Sequence, residues 1–129
     1  MIRTLLTLVI GTFVAGLPAY AHHSFAAYYF EDQSVTISGE VQELQYKNPH
    51  AILLINAKDR DGRMQTYAGE FQGPNRLASQ GFTKDTLKPG DFVVVTGAPG
   101  RVASEYKLHL RSIQRPSDGW SWGGGRRRR

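Results

Sequence analysis

Between Ser34 and Arg115 one stretch carries proline-early, glycine-late helix punctuation, and this limits the folds open to the chain more than any other feature. Gly73-Pro74-Asn75-Arg76-Leu77-Ala78-Ser79-Gln80-Gly81 has proline early and glycine late, the asymmetry of a short helix. The segments around it alternate or turn as strands do. Val35, Ile37 and Val41 share one face, Thr36, Ser38, Glu40 and Gln42 the other, and Gly39 sits where a barrel strand would bend. Ser34–Tyr46 is therefore expected to be a long, coiled first strand. Lys47-Asn48-Pro49 turns the chain, because proline lacks a ladder donor and disfavours the helical region for Asn48. His50–Ala57 reads as a second strand, apolar on both faces through Ala51, Ile52, Leu53, Leu54 and Ile55, as suits a strand covered on each side.

Asp59-Arg60-Asp61-Gly62 is a hairpin turn with glycine for a left-handed position, and Arg63–Phe71 forms the third strand. After the helix, a further helical turn is expected at Thr83–Leu87 under a Thr83 cap. Pro89-Gly90-Asp91 then leads into the strand Phe92–Gly97. Glu105–Arg115 ends the series with Leu108 and Leu110 inward and Lys107, His109 and Arg111 outward. Three strands, a helix and two strands make an all-β chain with one short helix, β-β-β-α-β-β. That is the plan of the small five-stranded OB-like barrel, assigned to residues 34–115. The fold admits many unrelated ligands, so function has to be argued from the site.

Ahead of the barrel, Met1-Ile2-Arg3 gives a short positive start, Leu5 to Leu17 is apolar apart from Gly and Thr, and Ala19-Tyr20-Ala21 is an A-x-A cleavage pattern. Residues 1–21 are expected to be a signal peptide that sends the mature chain to the periplasm or the exterior. The apolar run is shorter than the roughly 20 residues a spanning helix needs, and no other candidate span follows it. Residues 22–33, rich in Ala, Phe and Tyr, read as an ordered arm.

Composition narrows the chemistry. The formal charge is +5, but Arg126, Arg127, Arg128 and Arg129 supply much of it at one end, leaving the body near neutral. Specific nucleic-acid binding on a basic face is therefore not expected. Residues 116–129 read as a flexible Trp/Gly/Arg tail, with weak contact to an anionic surface through the four arginines as its one electrostatic option. The chain has no cysteine, so disulfides, thiolate metal sites and cysteine nucleophiles are excluded.

Histidine is what remains for metal chemistry. Cleavage after Ala21 makes His22 the first residue, and its α-amine, with a pKa of about 7.7 to 8.0, and its imidazole can chelate one ion together. This resembles the histidine brace of secreted copper proteins. A nitrogen-rich site ranks copper highest among divalent first-row ions. The candidate metal ligands are His22, His23 and His50, the last just past the Asn48-Pro49 turn on the ligand-binding rim of an OB barrel. His109 is set aside because Lys107 and Arg111 flank it and would repel a cation. Glu70 is a conceivable addition from the end of the third strand. The plainer alternative also stands: His22 and His23 flank a cleavage site, and His50 holds a turn carbonyl.

His22-His23-Ser24-Phe25-Ala26-Ala27 after a signal, Asn48-Pro49-His50 before an apolar strand, and Leu87-Lys88-Pro89-Gly90-Asp91 leading to Val93-Val94-Val95-Thr96-Gly97 together resemble a family of small secreted bacterial proteins known only as a domain of unknown function. The resemblance covers the chain to about Arg115 and implies a secreted barrel without an activity or site residues. Tyr67 and Phe82 stand where such proteins are expected to carry tryptophan, and the Trp-Gly-Arg tail is peculiar to this chain.

The expectation from these residues is an exported binding protein holding copper, or failing that no cofactor. The alternative is a non-metal module that recognises an envelope component through the barrel rim and the arm aromatics Phe25, Tyr28, Tyr29 and Phe30. An enzyme is not expected, since no nucleophile–base pair, paired-carboxylate motif or phosphate loop is visible.

Overall fold

The computed structural model describes residues 25–124. The expected signal peptide at 1–21, His22 and His23, and Arg126 to Arg129 lie outside the described residues.

Among the described residues the strands are β1 (Val35–Gln45), β2 (Ile52–Lys58), β3 (Met64–Glu70), β4 (Phe92–Pro99), β5 (Lys107–Arg115) and β6 (Trp120–Gly123), with helix α1 (Pro74–Ser79) between β3 and β4. Their order in the sheet is β3-β2-β1-β4-β5-β6, and a parallel pairing of β3 with β5 closes the first five into a barrel. Through β5 the element sequence is the one the strand and turn pattern predicts; β6 is additional. No described helix is long and apolar enough to cross a membrane.

Strand β1 serves two neighbours: Gly39 to Gln45 pair with β2, and Val35 to Glu40 pair with β4. Gly39 lies where both pairings overlap, opposite Ala57 on one side and Val93 on the other. A Cβ there would run into the Asn56 carbonyl oxygen. Glycine is needed at this point for close approach of two backbones. At the closing seam, a Cβ on Gly69 would lie 2.6 Å from Leu110 Cδ1, so a missing side chain on β3 makes room for a large one on β5.

Val41, Leu53, Ile55, Val93, Val95, Leu108 and Ile113 are buried, contributed by β1, β2, β4 and β5. Their removal from water is the main favourable term holding the barrel together. In β2 only Leu53, Ile55 and Ala57 are buried, whereas Ile52 and Leu54 remain half-buried. The strand is thus covered on its inner face alone, contrary to the expectation of cover on both sides. A barrel has one interior, and among the described residues no second layer lies over that part of β2.

Two further expectations are corrected. Thr83–Leu87 is a turn, not helix, with the Thr83 amide donating to Thr86 Oγ1 at 2.7 Å and the Asp85 amide to Thr83 Oγ1 at 3.3 Å. The tail expected to be flexible from 116 instead doubles back. Gly119 at φ 73° completes a turn, and β6 pairs with β5 from Arg115↔Trp120 to Ser112↔Gly123. Trp122 is buried against Phe71 and Phe82, with its indole N–H donating to Gln80 Oε1 at 2.8 Å. Arg115 holds this hairpin through Asp118 (2.8 Å) and Asp91 (3.0 Å) while its guanidinium lies over Trp120.

Candidate functional site

The seam between β3 and β5 has an inner and an outer face. Leu108 and Leu110 point into the core, so His109 between them points out. Gly69 faces in, so Glu70 faces out. Register sets Glu70 directly opposite His109 across the parallel pair. His50 precedes β2, and Ile52 pairs with Glu70, which brings that turn to the same face.

The arm roofs this face. Phe25–Ala27 forms a single 3-10 turn, Phe30 N donates to the Pro99 carbonyl at 2.9 Å, and Tyr29 pairs with Gly100. Arg101 Nε donates to the Ala26 carbonyl, and Arg111 donates to the carbonyls of Glu31 and Gln33. The arm is therefore pinned along its length by backbone acceptors. Its aromatic rings lie over the seam as a result.

Two histidine–carboxylate pairs lie beneath it. His50 Nδ1 lies 2.8 Å from Glu70 Oε1, and His109 Nδ1 lies 2.7 Å from Glu31 Oε1. A carboxylate at Nδ1 accepts a hydrogen bond from the N–H there, the arrangement that turns Nε2 outward as the nitrogen available to a ligand. The Phe25 ring joins the pairs, stacked on His109 at 3.6 Å between centroids and 7° between planes, and 5.0 Å from His50. Both imidazoles keep some access to solvent, with side chains 33 % exposed for His50 and 21 % for His109.

Glu70 has a second duty. Its Oε2 accepts the Tyr29 hydroxyl at 2.7 Å, so Tyr29, Glu70 and His50 form one chain of hydrogen bonds. Burial of the Tyr29 ring, and then the Glu70 carboxylate beside it, push the Tyr29 hydroxyl well above the usual tyrosine range. Tyr29 therefore stays protonated as the donor that orients Glu70.

His50 lies on this rim, as the sequence places it, and Glu70 approaches it. His109 also belongs here, although its neighbours argued against it. The supposed repulsion is absent because Lys107 pairs with Glu105 at 3.0 Å, while Arg111 is drawn onto the Glu31 carbonyl and carboxylate. Strand parity together with barrel closure carries the signal that finds it: outward positions on β3 and β5 share the outer face of the seam. Among the described residues, no three His, Asp or Glu side chains come together to hold a metal ion by themselves.

One family model matches the chain, over residues 11–109, and its description is a family of unknown function. The matched span holds every histidine discussed above and ends on His109. No curated protein and no solved structure matches the chain.

Proposed function

The chain belongs to that family, DUF6152, which brings no activity with it, and we propose that it is an exported binding protein for a transition metal, copper ahead of zinc. The observation that carries this reading is the pair of carboxylate-bound imidazoles, His50 and His109, packed against Phe25. Metal-ligating histidines characteristically give their second ring nitrogen to a carboxylate, which fixes the ring and raises its basicity. Phe25 is two residues after His23, a reach of roughly 7 Å of extended chain.

Cleavage after Ala21 would add the His22 amine and imidazole, with His23 beside them. A set of nitrogen donors with no thiolate favours copper over the other divalent first-row ions. The Glu31 and Glu70 carboxylates place negative charge behind the rings, which favours a bound cation. The role is binding and not turnover, with the periplasm or the exterior as the address.

The test compares the chain beginning at His22 with the same chain carrying one extra glycine in front. Copper binds the first form stoichiometrically and at least about tenfold more tightly, a difference of about 1.4 kcal/mol. Equal affinity for the two forms would sink the terminal-amine part of the reading.

A second reading rests on Tyr28, which is 63 % exposed beside Val102 at 52 % on the outer side of the arm. Exposed aromatic and aliphatic groups on a pinned arm suit contact with an envelope protein. A partner that stays bound through Tyr28 after metal chelation, and is lost in Tyr28→Ser, would favour this second reading.

A further inference from the structure

The barrel has a second concavity, remote in kind from the histidine seam. At one end α1, Phe71, Phe82 and Trp122 fill the interior. At the other, where β1, β3 and β5 begin and β2 and β4 finish, a cavity of about 770 Å³ opens between Tyr67, Tyr106, Val35 and Ile37, with Leu108 among its lining residues. Barrel mouths are recurrent small-molecule sites, and this volume falls in the range that takes one compact ligand.

Its walls are aromatic and held in place. Tyr106 sits at φ 49°, a left-handed conformation that a residue with a Cβ adopts at a cost. Its carbonyl is fixed by the Ala68 amide at 2.9 Å, and its ring meets Tyr67 edge to face at 5.3 Å and 75°. Glycine would suit that backbone better. A tyrosine held there against the backbone preference gives the cavity a rigid wall.

The rim sets the charge. The Asp59 carboxylate is turned back on its own hairpin, accepting the amides of Asp61 and Arg63 and the Gln65 side chain. Lys107 is paired with Glu105. Among the described residues Lys58 and Arg60 make no ion pair, and both lie on this rim, opposed by Asp61. The rim therefore sets two cations without ion pairs, Lys58 and Arg60, beside Asp61 and a turn-bound Asp59, over an aromatic and aliphatic interior. The matching occupant has a flat apolar body and one anionic group.

We infer that the open mouth binds a small aromatic carboxylate, with its ring against Tyr67 and Tyr106 and its carboxylate toward Lys58 and Arg60. This site is independent of metal and is tested in the presence of a chelator, on protein expressed from the whole chain and processed by its host. The probe is 2-naphthoate, followed by amide chemical shifts in nuclear magnetic resonance, with 2-naphthalenemethanol as its uncharged counterpart.

Naphthoate shifts the amides of Val35 to Ile37, Lys58 to Asp61 and Tyr106 saturably, and binds about tenfold more tightly than the alcohol, the size of one hydrogen bond to a charged group. Tyr106→Gly, which relieves the backbone and preserves the fold, abolishes saturation. Arg60→Ala brings naphthoate down toward the alcohol. Equal affinity for the two probes, shifts confined to other surfaces, or unchanged binding in a folded Tyr106→Gly variant would overturn the assignment.

Discussion

The plugged end of the barrel and the arm-covered seam are both built around aromatic rings, yet the rings have different neighbours. At the plugged end Phe71, Phe82 and Trp122 meet edge to face at 5.3 to 6.2 Å, with the indole N–H satisfied by Gln80. At the seam Phe25 lies flat on one imidazole and near another, and each imidazole is tied to a carboxylate. The first arrangement removes apolar area from water and has little else to offer. The second keeps titratable groups partly exposed, in fixed orientation, at some cost in burial. One region holds the fold, and the other keeps two oriented imidazoles within reach of solvent.

If that division is right, the largest loss of stability follows Trp122→Ala. Removing a buried tryptophan from a packed cluster costs about 3 to 5 kcal/mol, a large share of what a domain of this size has. Urea unfolding should show the midpoint fall steeply. Phe25→Ala, read by the same titration, should cost less than half as much because its ring covers a partly exposed face. Comparable losses in the two variants would mean that the arm is part of the core.

A smaller effect on stability but a clear effect on binding is expected for Glu70→Gln. Glutamine keeps the size of the side chain but forfeits the charge that fixes His50, so copper affinity should fall about 10- to 100-fold. The folding midpoint should move little, since the site is near the surface. Isothermal titration and urea unfolding on the same sample separate the two.

The smallest effect is on the alkaline limb of stability. Burial and Glu70 raise the Tyr29 hydroxyl above its ordinary value of 10.0 in the folded chain. The protonated form is therefore favoured by folding. Its contribution is complete below pH 10 and is lost as pH rises above that value. Ultraviolet difference titration should show one tyrosine ionising later than the rest, and Tyr29→Phe should remove it.

Much of this architecture was legible in the residues. Pro74 and Gly81 around a single helix fixed the position of α1, and the parity of Leu108 and Leu110 fixed which face of β5 is buried. The β6 strand was not legible, because Pro116-Ser117-Asp118-Gly119 and the glycines after Trp122 have the composition of a linker. What overrides composition there is the pairing with β5 and the core space that Trp122 fills. His50 was found from its place after a turn. His109 was set aside because Lys107 and Arg111 flank it, whereas Lys107 pairs with Glu105 two residues before it and Arg111 is drawn to Glu31, which only the fold brings near.

In the proposed reading His50 and His109 bind the same ion as the new N-terminus. X-ray absorption on the copper-loaded chain beginning at His22 tests it most directly, by comparing imidazole scattering in the parent with that in a His50→Ala, His109→Ala double variant. The account predicts that the variant still folds, as judged by an unchanged core, and that its imidazole signal falls by the share of two rings. An identical spectrum in the two proteins would place the copper on the terminal residues alone and contradict the seam as a metal site.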